Sequence, residues 1–205
     1  MGDGLTRLIE VMDRLRSPGG CPWDAEQDHA SLAPYALEET YELLEAIETG
    51  TRADLREELG DVLLQVVFHA RVAQEHPTEP FDIDAVAHTV ADKLVERHPH
   101  VFADADAGSV ADVHARWDAI KAETTQRDSV FDGIPVAQSA LARAQKVVGR
   151  AQKARLAVAD EAGVDIGKQL LALVARAQAE GIDAETALRE ATRAYEKAAR
   201  DAEQR

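Results

Sequence analysis

Two short acidic runs carry the chemistry that this sequence can do. Glu38-Glu39-Thr40-Tyr41-Glu42 reads E-E-x-x-E, and Glu58-Leu59-Gly60-Asp61 reads E-x-x-D. Both lie in segments with helical periodicity. At about 100° per residue, Glu38, Glu39 and Glu42 fall within an arc of roughly 100° on one helix. Glu58 and Asp61, three apart, share a face of the next. Like charges this close destabilise an isolated helix, so a cation should neutralise them. Clusters of oxygen ligands suit hard divalent ions such as Mg²⁺, with Mn²⁺ as a substitute. Two such ions about 3.5–4 Å apart would activate a water and stabilise a leaving phosphate. The plain alternative is a solvated acidic face. The split over two helices joined by a short turn argues against it, because an antiparallel hairpin brings the two acidic faces together. Glu57 should point away from the stripe.

Other ligand sets fit less well. Di-iron bundles use Glu-x-x-His from two helices. The chain has one such string, Glu26-Gln27-Asp28-His29, placed in a loop ahead of the second helix. No Cys or His spacing supports zinc. A phosphate substrate also needs cations. Lys93 and Arg97 stand one turn apart, spaced to reach one phosphate chain, although taken alone the pair is better explained by an ion pair to Asp92 or Glu96. Trp117 and Lys121 are likewise four apart. A tryptophan there is more often core than a platform for a base.

The elements that must position these residues read as helices throughout. Leu5, Leu8, Ile9, Met12 and Leu15 recur at helical spacing, and Ser17-Pro18-Gly19-Gly20-Cys21-Pro22 ends that helix. A second helix is expected from Ser31 as N-cap to Gly50 as C-cap, with Leu37, Tyr41, Leu44 and Ile47 as its core face. Thr51 should cap a third, running to about His76 with Leu55, Leu59, Val62, Leu63, Val66, Val67 and Ala70 inward. Glu58, Asp61, Gln65 and His69 line the adjacent stripe. A fourth spans about 82–98, with Val86, Val90, Leu94 and Val95 inward, and a fifth about 109–126. A linker at 128–135 leads to stretches near 136–159, 163–180 and 183–204. No segment reads as a strand.

Composition sets the bounds. At 205 residues and 45% hydrophobic, the chain is long and apolar enough for one or two globular domains. The net charge of -15 makes it a poor ligand for a nucleic-acid polymer or an anionic membrane. A lone Cys21 excludes an internal disulfide and fits a reducing compartment. With no signal-peptide core and no apolar run near the ~20 residues of a membrane span, a cytoplasmic location is expected.

The last third repeats part of the first. The pattern of residues 60–73 recurs at 167–179, and Lys93-Leu94-Val95-Glu96-Arg97 parallels Arg193-Ala194-Tyr195-Glu196-Lys197. Asp165 stands at the place of Glu58 and Lys168 at that of Asp61, and no acidic triplet precedes them. The expected organisation is a catalytic domain at 1–128, a linker and connecting helix at 129–160, and a degenerate half-repeat without metal chemistry at 161–205.

Taken in order, E-E-x-x-E, E-x-x-D, D-K-L-x-x-R-H-P-H-V-F and W-x-x-I-K, preceded by Cys21-Pro22-Trp23-Asp24, resemble the MazG family of nucleoside triphosphate pyrophosphohydrolases. The resemblance covers about residues 5–155. It implies an all-α helical bundle of the all-α NTP pyrophosphatase type that forms a homodimer. It further implies Mg²⁺-dependent cleavage of NTPs and dNTPs between the α- and β-phosphates, yielding monophosphate and pyrophosphate, for nucleotide-pool clearance. Carried over by motif, Glu39, Glu42, Glu58 and Asp61 would ligate metal, and Glu38 would hold or deprotonate the attacking water. Lys93 and Arg97 would meet the phosphates, with Trp117 and Lys121 near the nucleotide. Two alternatives stay open: a narrower dUTP or dCTP pyrophosphatase, and a catalytically weak nucleotide-sensing interaction protein.

Overall fold

The computed structural model describes residues 3–103, 108–109, 112–113, 117, 128–156 and 165–203. Every regular element among them is a helix, as expected. The chain divides into two compact units, 1–121 and 122–205. The expected fifth helix at 109–126 falls largely outside the described residues, and Lys121 lies outside them.

The first unit is built on α1 (Gly4–Arg16), α2 (Pro22–Glu26), α3 (His29–Thr49), α4 (Arg52–Ala73), α5 (Ile83–Arg97) and the single turn α6 (Pro99–Phe102). α3 packs along α4, α1 packs against α2 and α4, and α5 against α4. The hairpin of α3 and α4 is tightly specified. Gly50 and Thr51 form the whole connection. A Cβ at Gly50 would lie 2.7 Å from the Ala46 Cα and 2.8 Å from its carbonyl oxygen, so the turn closes only on glycine. Thr51 then caps α4 by accepting from the N–H groups of Ala53 and Asp54, and the Asp54 carboxylate accepts the Thr51 N–H in return. This reciprocal box satisfies amides that the first turn of any helix leaves unpaired. At the other end the expected cap shifts. Asp28, not Ser31, caps α3, and Ser31 occupies the third helical position, closing a second capping box. The segment ahead of α3, expected as a loop, contains α2, which starts at Pro22, a residue whose missing N–H costs nothing there.

The core gathers Met12, Leu32, Val67 and Phe68, flanked by Leu8, Ile9, Leu64, Val72 and Ile83. Each of these four buried side chains contributes about 2 kcal/mol by leaving water. Arg16 is buried beside this core. It donates to the Asp24 carbonyl and to both carboxylate oxygens of Glu75, tying α1 to α2 and to the end of α4. Arg71 completes the network with Asp13 and Glu75.

The buried faces differ from expectation. On α3 the inward residues are Leu32 and Ala46, with Ala36, Glu39, Leu43 and the expected Leu44 half-buried, whereas Leu37, Tyr41 and Ile47 are exposed. On α4, Leu59, Leu63 and Val66 are exposed, and on α5 so are Val90, Leu94 and Val95. The hairpin thus carries two apolar stripes and buries one of them within this chain.

The second unit holds α7 (Ala140–Lys153), α8 (Ile166–Ala179) and α9 (Ala184–Glu203), which pack pairwise. Val174 is its buried centre. Gln145 clasps the α8–α9 turn, donating to the Ile182 carbonyl and accepting from the Ala184 N–H. Arg150 donates to the carbonyls of Val130 and Asp132, which fastens the expected linker segment to α7. On α8, Leu170 and Leu171 are exposed, and so are Ala187, Ala191, Ala194 and Tyr195 on α9.

Candidate active site

The α3–α4 hairpin brings one oxygen each of Glu39, Glu58 and Asp61 within 4.8 Å of one another, with all three side chains half-buried. This follows from sequence directly. Glu39 lies on the inward arc of α3 with Ala36, Leu43 and Ala46, and Glu58 and Asp61 share a face of α4 three residues apart. Glu42 and Glu38 are exposed and stand outside that triad. They are near enough to be felt. The Glu39 carboxyl is held above the ordinary carboxylate range first by desolvation, then by the charges of Asp61, Glu42, Glu58 and Glu38. Glu58 is pushed the same way by desolvation, then by Glu42, Asp61, Glu57 and Asp54.

This donor set fits a hard divalent cation. It is all oxygen and all anionic, and the Glu58 Oε2 is shielded from water with no hydrogen-bond partner. A buried carboxylate oxygen without a donor is costly, and a bound cation would remove the cost. Among the described residues, Glu39, Glu58 and Asp61 form the one such ligand group.

On α5, Lys93 is exposed and Arg97 half-buried. Neither forms an ion pair with Asp92, Glu96 or any other acid among the described residues. The Arg97 guanidinium instead lies 5.6 Å from the centre of the Trp117 ring, and its Nε is buried without a partner. Trp117 therefore serves as a face for a cation. Sequence reasoning missed its neighbours. His98 meets the Trp117 ring edge-on at 5.0 Å and donates from Nδ1 to the Leu94 carbonyl at 2.7 Å. His100 lies 5.5 Å from His98, with its Nδ1 buried and unpaired. The signal was present in the R-H-P-H string that follows Lys93.

A cavity of about 350 Å³ opens in the same hairpin. Its lining includes Thr40 beside Glu39, Val62 beside Asp61, and then Gln65, His69 and His29. The stripe of Gln65 and His69 was legible as a continuation of the acidic one, but the pairing with His29 was not.

The chain is similar to several known proteins. The family model of the MazG nucleotide pyrophosphohydrolase domain matches residues 27–102, the span from the start of α3 to the end of α6. A nucleoside triphosphate pyrophosphohydrolase of Escherichia coli K12 is 41% identical over 97% of this chain and 87% of its own length. One from Thermotoga maritima, a nucleoside triphosphate pyrophosphohydrolase/pyrophosphatase MazG, is 37% identical over 92% of this chain and 81% of its own. An uncharacterised 26.1 kDa protein of Streptomyces cacaoi is 52% identical over 98% and 84%. The chain belongs to the MazG family of nucleotide pyrophosphohydrolases.

Proposed function

We propose that this chain hydrolyses nucleoside and deoxynucleoside triphosphates to the monophosphate and pyrophosphate with Mg²⁺, as a cytoplasmic homodimer that clears surplus nucleotides. The observation that carries the reading is the convergence of Glu39, Glu58 and Asp61 around a shielded, unpaired Glu58 oxygen in a chain of this family. Glu39, Glu58 and Asp61 would hold the cation, with Glu42 close by as a further ligand. When bound, the ion supplies charge neutralisation of the triphosphate and acidifies a water.

The residues of the chain do the rest. Glu38, exposed at the edge of the cluster, holds the attacking water and takes its proton. The water oxygen bonds to the α-phosphorus, and the bridge to the β-phosphate breaks. The pyrophosphate that leaves carries new charge, which Lys93 and Arg97 meet. The exposed apolar residues Leu37, Tyr41 and Ile47 on α3 and Leu59, Leu63 and Val66 on α4 are the face offered to a second copy, since exposed apolar surface favours an interface. Among the described residues no helix is long and apolar enough to cross a membrane.

The deciding experiment is a product assay with NTPs and dNTPs in ¹⁸O-water, with Mg²⁺ and with chelator. Pyrophosphate and a labelled monophosphate, lost on chelation, are expected. Orthophosphate as first product, or label in pyrophosphate, would defeat the reading.

A further inference from the structure

We infer that His98 is a positioning residue for Arg97, acting on it through the ring of Trp117. The inference rests on the proposed triphosphate reaction, in which Arg97 meets the departing pyrophosphate, and it names a residue that the reaction does not otherwise use.

The backbone sets His98 in place. It is the last residue of the α5 path and the first of α6, and its carbonyl accepts the N–H groups of Val101 and Phe102. Pro99 follows. It has no N–H to extend α5 and disfavours helical geometry at the residue before it. The chain therefore turns at His98, whose φ of -123° and ψ of 55° are not helical. Its N–H goes to the Val95 carbonyl, three residues back. In a continuing helix that N–H would serve the Leu94 carbonyl, four residues back. The His98 side chain takes over the duty, donating from Nδ1 to the Leu94 carbonyl at 2.7 Å. This bond satisfies a carbonyl that the helix end leaves unpaired. It also fixes the ring's orientation and places the proton of the neutral imidazole on Nδ1.

The ring so fixed meets Trp117. The two planes cross at 83° with centroids 5.0 Å apart, an edge-to-face pairing that aromatic rings favour. His100 adds a further contact, 5.5 Å from the His98 ring. Trp117 in turn meets the Arg97 guanidinium at 5.6 Å. The Arg97 Nε is buried without a partner, and no acid among the described residues forms an ion pair with Arg97. A long side chain gives up much rotamer freedom when its fork is fixed, and the Trp117 ring is what this one is fixed against. Moving Trp117 therefore moves Arg97. His98 does not serve the phosphates directly, because the neutral ring spends its proton on Leu94 and leaves only the Nε2 lone pair, which repels an anion.

The test uses the full chain with Mg²⁺ in a Trp23→Phe background. That change keeps a ring beside Tyr35 and Phe68 and leaves Trp117 as the single tryptophan. His98→Phe retains a ring against Trp117 and gives up the bond to Leu94. His98→Asn retains an amide donor for the helix end and gives up the ring. In His98→Asn, acrylamide should quench Trp117 emission more readily, and kcat/KM for pyrophosphate release should fall about tenfold. Affinity for pyrophosphate itself, measured by calorimetry, should weaken alongside. His98→Phe should stay within about threefold of the parent. In a chain that already carries Arg97→Ala, His98→Asn should cost nothing more, since the two residues act along one path. Parent-like quenching and turnover in His98→Asn, equal loss in His98→Phe and His98→Asn, or a full further loss on top of Arg97→Ala would each overturn the inference. If no NTP yields pyrophosphate in the parent, the proposed reaction has failed, and the quenching and pyrophosphate-affinity measurements still decide the role of His98.

Discussion

The Nδ1 atoms of His29 and His69 lie 2.8 Å apart, linking the first residue of α3 to the last turns of α4. One ring must donate and the other accept, so the pair requires at least one neutral imidazole. Burial first, and then the charge of His29, hold the His69 pKa below its ordinary value of 6.5. The unfolded chain therefore takes up a proton at a pH where the folded one refuses it. The contribution is fully present above pH 6.5 and is lost as pH falls toward the lowered folded value. Denaturant unfolding should show stability dropping with acidification through this window, and His69→Gln should flatten that slope. An unchanged slope would mean that the pair does not titrate as described.

The acidic cluster has the opposite sign. Glu58 prefers its proton in the folded state, so below its unfolded pKa it costs nothing, and the repulsion sets in as pH rises past the raised folded value. At neutral pH without metal, Glu58→Gln should melt higher than the parent. Millimolar Mg²⁺ should raise the parent's melting temperature, because a ligand of the native state alone stabilises it, and should raise the variant's much less. Equal rises in both would indicate general screening and remove Glu58 from the ligand set.

Turnover should depend on the same residues. Glu39→Ala, Glu58→Ala and Asp61→Ala each remove a ligand from a triad whose oxygens lie within 4.8 Å. Loss of several kcal/mol of transition-state stabilisation lowers the rate roughly a thousandfold. Pyrophosphate release with Mg²⁺ is the measurement, and circular dichroism should show the helices intact.

Arg97 separates charge from shape. Its guanidinium faces the Trp117 ring at 5.6 Å, a contact that favours a flat, weakly hydrated cation. Arg97→Lys keeps the charge and loses the fit. We expect kcat/KM to fall about tenfold, corresponding to 1–2 kcal/mol for a partly desolvated cation–π contact, with a smaller fall for Lys93→Arg. Full activity in Arg97→Lys would leave only a point charge at that position.

Much of this site was readable as spacing. Intervals of one, three and four residues placed the acids on helix faces, and Thr51 marked the turn that apposes them. Burial was less readable. Leu37, Tyr41 and Ile47 are exposed on α3, while Leu32, Ala36, Leu43 and Ala46 turn inward with Glu39. Hydrophobicity alone does not say which of two apolar stripes faces the partner helix. The cap at Asp28 was missed because Ser31 is an equally good residue three positions on, and only the reciprocal bonds between them decide the order. The His29–His69 contact spans 40 residues and has no local signature.

The two compact units, 1–121 and 122–205, divide the labour in a way that can be tested by cutting. A break after Arg155 would fall inside the second unit and strip α7 of α8 and α9, exposing the Gln145 and Ser139 bonds to Ile182, Ala184 and Glu185. A chain ending at Lys121 keeps Glu38, Glu39, Glu42, Glu58 and Asp61 together with Arg97 and Trp117. In the second unit Asp165 spends its carboxylate capping the Lys168 amide, and Lys168 stands where Asp61 stands in the first, so no cation is expected there. The shortened chain should retain measurable pyrophosphate release per folded molecule and the Mg²⁺-dependent rise in melting temperature, while losing solubility or association. A folded, associated 1–121 chain with no turnover would place part of the active site in the second unit.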